Sequence, residues 1–472
     1  MNERESSSTS ECTRTRREAL GAVGATGALV LAGCIGGDDD GGNGNGNGEN
    51  SGGTTTDTDD DTVRIGLSLS QSGSRNNEGE QMLQGYELAA HHINEGTGGV
   101  TVEPFQAIGG DGGLLGRQIE FAVGDTESTG EGAEASATAL VDEEDVVMFT
   151  GGSSADEGIA HQGVADDREI LYMGGFTPGG GVSGENCSRY AFNEMYNAKM
   201  AADSLAPIVN REVDSDGDVA FAQMYPDNRF GEEFSTEIRN RFETLGDNWL
   251  HQVRESTRAD ERSYGSTVED ILATDPDLVV LNYYGLDAAN ALRDLEDRAE
   301  SDLSVVVPVF NRQFARTTGS ALEDVIGTVH WPPEPPGGSG WAIEASHPFR
   351  DRFLATWNDV ENDLDAPSPV AHLAYVQLCQ YAAAVSRAGT FDEDAVIGEL
   401  EDHTYAYGMG DQELRACDHQ AMRTVPVVLG LPEADHEPGN YYRLSPLQAS
   451  LSLGGSEPYT CNQPPAAFCQ GF

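Results

Sequence analysis

The sequence predicts an α/β protein built as two doubly wound parallel-sheet lobes joined by a hinge. Three observations carry that expectation. From residue 63 to about 310, short apolar runs alternate with amphipathic stretches of helical period, the pattern of parallel strands covered by helices on both faces. The alternation pauses near Tyr190 and restarts, which divides it into two runs. After residue 320 long helical stretches take over, followed by one late strand, so the chain must cross the hinge more than once.

Val63–Ser70 (VRIGLSLS) reads as a buried strand, and Glu78–Asn94 as a helix with Met82, Tyr86, Ala89, Ala90 and Ile93 on one face. Strands follow at Gln118–Gly124, Val146–Phe149 and Ile170–Met173, separated by helices Glu131–Val141 and Ala155–Asp167. The second run opens with helix Ala198–Val209. It sets strands Val219–Gln223, Trp249–Arg254, Leu278–Asn282 and Val305–Phe310 among helices Gly231–Leu245, Tyr264–Ala273 and Asp287–Glu300. Helical patterns then cover Phe349–Val360, Val370–Arg387 and Asp392–Leu400, before strand Val425–Leu429. Residues 63–193 and 320–424 are thereby assigned to lobe 1, and 194–319 and 425–445 to lobe 2.

The 472 residues suffice for two domains, and 38% are hydrophobic, enough for a core once polar tails are set aside. Against 27 basic residues stand 80 acidic ones, a formal net charge of −53. Lys199 is the only lysine. Such a surface repels nucleic acid and anionic lipid. At molar salt the screening length shrinks to roughly 3 Å, so self-repulsion of this size fits a protein of a salt-loving organism.

The N-terminus reads as an address. Arg16-Arg17 precedes an apolar stretch from Gly21 to Gly33, too short to span ~30 Å of hydrocarbon as a helix. The paired arginines resemble a twin-arginine export signal. Leu31-Ala32-Gly33-Cys34 resembles a lipobox, in which Cys34 takes the lipid and becomes the mature N-terminus. Residues 1–33 are then a signal peptide, which also removes Cys12. Residues 34–62, rich in Gly, Asn, Asp and Thr, form a disordered acidic tether. The tail, 446–472, holds Cys461 and Cys469, which close a short loop and suggest a disulfide in an oxidising compartment. The pairing of Cys187, Cys379 and Cys417 stays open.

Several stretches resemble one family, in order along residues 63–432. They are Ile65-Gly66-Leu67-Ser68-Leu69-Ser70-Gln71-Ser72-Gly73; Gln84-Gly85-Tyr86 through Ile93-Asn94-Glu95-Gly96; Gly113-Leu114-Leu115-Gly116-Arg117 with Asp125-Thr126-Glu127-Ser128; and Thr150-Gly151-Gly152-Ser153-Ser154. Cys187–Phe192, Asp227-Asn228-Arg229-Phe230-Gly231 and Arg415–Gln420 continue the series. Together they are similar to the type I periplasmic binding proteins of the branched-chain amino-acid, amide and urea ABC-transporter group, in the form of a haloarchaeal lipoprotein. Two positions depart. Asn228 stands where the family has an aromatic residue, and Asn311-Arg312-Gln313 occupies the place of the acid that meets a ligand ammonium.

Ligands of doubly wound sheets sit outside the carboxyl ends of strands, which selects the candidate residues. Ser72 lies in the turn after the first strand. Ser153 and Ser154 open a helix, where hydroxyls and amides suit a carboxylate or carbonyl oxygen. Ser154-Ala155-Asp156-Glu157 equally fits a capping box, which needs no ligand. Gly175, Phe176 and Thr177 follow the next strand, where small residues allow close approach and Phe176 offers a ring. Tyr284 and Asn311 would reach the ligand from the second lobe. With no acid seen for an ammonium, amide-like solutes rank slightly ahead of leucine, isoleucine and valine.

No catalytic residue, metal site or cofactor is expected. No CxxC, HExxH, G-x-S-x-G or phosphate loop occurs, and no G-x-G-x-x-G opens a helix after a strand. Cys417-Asp418-His419 lacks partners for a metal. The resemblance implies an extracytoplasmic, membrane-anchored lipoprotein, not an enzyme. It would capture a small polar solute between closing lobes and pass it to the permease and ATPase subunits of an importer. The alternative is a ligand-sensing receptor-type binding protein of the same fold; a dinucleotide-dependent enzyme comes last.

Overall fold

The first strand, β1 (Thr62–Leu69), sits between β2 (Gln118–Asp125) and β3 (Phe149–Gly151) in a computed structural model of the chain. The structure describes residues 61–445 except 102, 111, 180–181, 183–185, 214–216, 259–260, 300–302, 333–345, 357–366, 408–410, 424 and 438. The export signal, Cys34, the tether and the tail with Cys461 and Cys469 lie outside the described residues.

With β4 (Tyr172–Gly174) and β5 (Ala191–Asn193), these strands form a parallel sheet of order β2-β1-β3-β4-β5. Helices α1 (Asn76–Glu95), α2 (Gly130–Glu143) and α3 (Ala155–Arg168) link the first four. As the periodicity requires, Met82, Tyr86, Ala89 and Ile93 of α1 are fully buried. Strands β3 and β4 start two to three residues later than their apolar runs, although Gly66 N–H already bonds to Met148 O.

The second sheet contains β6 (Val219–Pro226), β7 (Trp249–Thr257), β8 (Leu278–Leu281), β9 (Ser304–Val307) and β10 (Ile326–Thr328). A third, antiparallel sheet is β11 (His403–Ala406), β12 (Asp411–Leu414) and β13 (Ala421–Arg423). The late strand β14 (Val427–Gly430) and β15 (Tyr442–Leu444) complete the second sheet, of order β15-β14-β10-β9-β8-β6-β7. Its helices are α4 (Ala198–Glu212), α5 (Arg229–Phe242), α6 (Gly265–Leu272), α7 (Gly285–Glu296) and α8 (Arg312–Thr318).

Strand β10 corrects the lobe boundary set at 319/320. It runs parallel to β9 and antiparallel to β14, so residues 320–328 belong with the second sheet. Three residues are too few for alternation to announce a strand; only its neighbours define it. The last helices, α9 (Ser346–Thr356), α10 (Pro369–Ala388) and α11 (Glu393–Leu400), follow the return. Helix α10 is apolar almost all round and buried from Pro369 to Val385, as a helix enclosed by others must be. It starts with Ser368 as cap and Pro369 in the first turn, and ends at left-handed Gly389. Against α1 the approach is close enough that a Cβ on Gly85 would stand 2.1 Å from Ala371 O.

Among the described residues the chain therefore passes between the sheets three times, after β5, after β10 and after β13. The loop Arg415–Gln420 braces the first passage. Gln420 Nε2 donates to Asn193 O at 3.1 Å and Met195 O at 2.9 Å, and His419 stacks on Phe192 at 3.8 Å. Cys417 is disulfide-bonded, and Cys379 is a buried thiol. Beside the passages lies a buried polar group: Tyr405 OH donates to Glu194 at 2.8 Å, Thr328 Oγ1 to Tyr196 OH at 2.8 Å, and Arg423 Nη1 to His330 Nδ1 at 2.7 Å. Burial pushes the Glu194 carboxyl up to about 7, against the Tyr405 bond and the Arg423 charge. Burial also lowers Arg423 to about 10.

Candidate ligand-binding cleft

Both sheets bring the carboxyl ends of their central strands to the site. In the first, β1 has β2 on one side and β3 on the other; in the second, β6 lies between β7 and β8. These are the switch points at which ligands of doubly wound folds bind. The loops after β1, β3 and β4 come from one sheet, and those after β6, β8 and β9 from the other.

The loop after β3 is organised by a buried acid. Glu157, on the first turn of α3, accepts from Thr126 Oγ1 at 2.8 Å, Ser70 Oγ at 3.1 Å, Ser153 Oγ at 3.1 Å and Ser153 N–H at 3.2 Å. Ser154 Oγ donates to Glu157 Oε1 at 3.0 Å and accepts the Glu157 N–H at 3.2 Å, a reciprocal capping pair. Ser70 and Ser153 hydroxyls are 2.5 Å apart. The anion held by these hydroxyls is thus the protein's own carboxylate.

A second acid joins the two lobes. Glu78, on the first turn of α1 and 1% exposed, accepts from Tyr284 OH at 2.9 Å and from Asn311 Nδ2 at 2.8 Å. Tyr284 follows β8 and Asn311 follows β9, so both partners come from the second sheet. Asn311 Oδ1 accepts the Phe314 N–H at 2.7 Å and caps α8, which turns its NH2 toward Glu78. Burial raises the Glu78 carboxyl above its ordinary range, opposed by the Tyr284 bond, its own backbone N–H, the Arg75 charge and Asn311. Around this junction Phe176 packs on Tyr284 with ring centres 5.4 Å apart, and Phe230 meets Tyr284 edge-on at 6.3 Å. Arg75 Nη1 reaches Ser153 O at 3.5 Å.

A sequence profile described as periplasmic binding protein matches residues 62–429. The chain belongs to the periplasmic binding protein family. No curated protein matches it by sequence. Among solved structures, this periplasmic binding protein is similar to one from Burkholderia mallei, 16% identical with a TM-score of 0.68 over 82% of this chain and 96% of that one. The branched-chain amino acid transporter substrate binding protein of Streptococcus pneumoniae, in complex with isoleucine, is 18% identical, with a TM-score of 0.65 over 81% and 99%. A solute binding protein from Rhodopseudomonas palustris in complex with benzoate is 16% identical, with a TM-score of 0.65 over 81% and 95%. At such identities the likeness is one of fold.

Of the residues singled out from the sequence of this periplasmic binding protein, Tyr284, Asn311 and Phe176 meet at the cross-lobe junction. Gly175 packs on the loop after β3, where a Cβ would lie 2.6 Å from the carbonyl oxygens of Gly151 and Gly152. Thr177 is buried and donates to Asn193 Oδ1 at 3.2 Å. Ser72 is exposed; its N–H donates to Asp125 Oδ1 at 3.1 Å and its carbonyl accepts from Ser128 at 2.8 Å. Ser153 and Ser154 turn to Glu157. Asn228, out of keeping with the family's aromatic, caps α5 through the Gly231 N–H at 3.0 Å.

Glu157 was legible only as the capping partner of Ser154, and Glu78 gave no signal at all, because each sits in the first turn of a helix. An acid there is explained by the helix dipole alone and gives no sign of what it faces. A cavity of ≈680 Å³, lined by Leu292, Ser304, Val325, Leu429 and Arg443 among others, opens at the amino ends of β9 and β10. That is the opposite end of the second sheet from the cleft.

Proposed function

We propose that this chain is the extracytoplasmic substrate-binding lipoprotein of an ABC importer. It captures a small polar solute, an amino acid, amide or urea-like molecule, between two closing lobes and delivers it to permease and ATPase subunits. The observation that carries the reading is the convergence of Glu78 and Phe176 from one sheet with Tyr284, Asn311 and Phe230 from the other, at the carboxyl ends of both sheets. Neither half is complete alone, so binding favours closure. The neighbours crystallised with isoleucine and with benzoate support a solute-sized ligand while leaving its chemistry to the residues of this cleft.

The address follows from the N-terminus: Arg16-Arg17 directs export and Cys34 takes the lipid, with residues 34–62 as tether. Changing Cys34 to Ser should release the protein to the medium, and a Cys34 variant that stays on the membrane with unchanged mass overturns the anchor. The excess of acid suits the protein to molar salt.

Native mass spectrometry of protein purified in multi-molar KCl tests the capture itself. We expect a co-purified small molecule, with Tyr284→Ala and Phe176→Ala each reducing its occupancy. Protein that carries no solute and takes up none from a panel of amino acids, amides and urea overturns the reading.

A further inference from the structure

Glu78 is an uncommon residue to find enclosed in a cleft. A carboxylate removed from water requires compensation by hydrogen bonds or a positive partner. Here two neutral donors, Tyr284 OH and Asn311 Nδ2, both fall on the same oxygen, Oε1, and neither second-lobe donor uses Oε2. Among the described residues no basic side chain forms an ion pair with Glu78; Arg75 acts on it only from beyond contact. The other buried acid of the cleft, Glu157, is by contrast saturated with hydroxyls. The rings of Phe176 and Phe230 pack on Tyr284, the donor to Glu78, so the acid's partner stands in an aromatic cluster.

We infer that Glu78 is the specificity-determining residue of the cleft, accepting a cationic N–H group of the solute: an ammonium, amidinium or guanidinium. This rests on the solute-capture reading. The counter-charge comes from the first lobe, at the start of α1; from the second lobe Tyr284 and Asn311 bring neutral donors to Glu78, while Asp287, in the first turn of α7, is bonded to Tyr264 and shares the Arg75 charge. When the lobes part, Glu78 loses both partners and becomes the anionic point that an entering cation meets. On closure, Tyr284 and Asn311 hold one oxygen of the carboxylate while the solute nitrogen takes the other. A solute whose only charge is negative is rejected, because it would place a second anion against Glu78.

Calorimetry of the full chain in multi-molar KCl, with L-leucine, L-arginine, agmatine, acetamide, urea and benzoate as probes, tests the assignment. Glu78→Gln keeps the shape and an acceptor for Tyr284 and Asn311, so its fold should survive, as an unchanged melting profile would show. At least one of L-leucine, L-arginine and agmatine should bind, and Glu78→Gln should weaken that binding about tenfold or more, the effect expected when a charge-assisted hydrogen bond becomes neutral. Comparison of the three separates an α-ammonium from a side-chain cation. Cationic binding unchanged in Glu78→Gln overturns the inference. So does tight binding of benzoate, acetamide or urea while every cationic probe fails; either result leaves solute capture standing. No binding by any probe, with no co-purified solute, overturns both.

Discussion

The carboxylate of Glu78 and the side-chain amide of Asn311 meet at 2.8 Å across 233 residues of chain, one at the start of a helix in the first lobe and the other capping a helix in the second. Asn311 performs both tasks because its two ends differ: the oxygen accepts from Phe314 N–H, and the nitrogen is left to donate. A local capping choice thereby fixes which atom faces the cleft.

Asn311→Ala should lower stability by about 1–2 kcal/mol through the lost cap alone. Asn311→Asp keeps a capping oxygen but sets a second carboxylate against Glu78. Its loss should be greater at pH 7 than at pH 5, where one proton can be shared by the pair. Thermal melts in multi-molar KCl measure both, and equal losses at the two pH values for Asn311→Asp would show that the carboxylates do not face each other.

Ser154→Ala should cost about 1 kcal/mol through the α3 cap. Glu157→Ala should cost more, about 3 kcal/mol or more, because the buried hydroxyls of Ser70, Thr126 and Ser153 lose their acceptor together. The double variant should lose less than the sum of the two, since Ser154 and Glu157 bond to each other. Strict additivity would refute the pairing.

Glu194 should make folding sensitive to pH. Its carboxyl rises from an ordinary 4.5 to about 7 in the folded protein, so the folded state holds a proton that the unfolded state has released. Stability is then greatest below about 4.5 and falls as pH rises toward 7. Tyr405, Arg423, Tyr196 and His330 face this region, and Arg423 limits the penalty by its charge. Glu194→Gln should flatten the decline, seen as a smaller change in melting temperature between pH 5 and 8. A variant with the wild-type slope would assign the dependence elsewhere.

With 80 acidic against 27 basic residues, the fold should gain stability steadily from dilute to multi-molar KCl. The surface ion pairs that do form, such as Arg168–Asp142 and Arg64–Glu144, are exposed and cannot offset repulsion on that scale. A melting temperature independent of salt would contradict this.

Local pattern by itself determined most of the architecture. Short apolar runs located β1, and helical apolar patterns located α1, α4 and the enclosed helix α10, because burial imposes apolar residues whatever the buried surface meets. A capping box marked the start of α3, and Tyr284, Asn311 and Phe176 lie where strand ends were expected to meet a ligand. The tertiary structure alone decided the rest. β10 is three residues long and exists only through β9 and β14. The capping box of Ser154 and Glu157 was legible, but that Ser70 and Thr126 come from other strand ends to the same carboxylate was not. Glu78 reads from the sequence as an ordinary acid at a helix start. Its partners lie 206 and 233 residues away, and periodicity reports which side of an element is buried, never which distant side chain will face it.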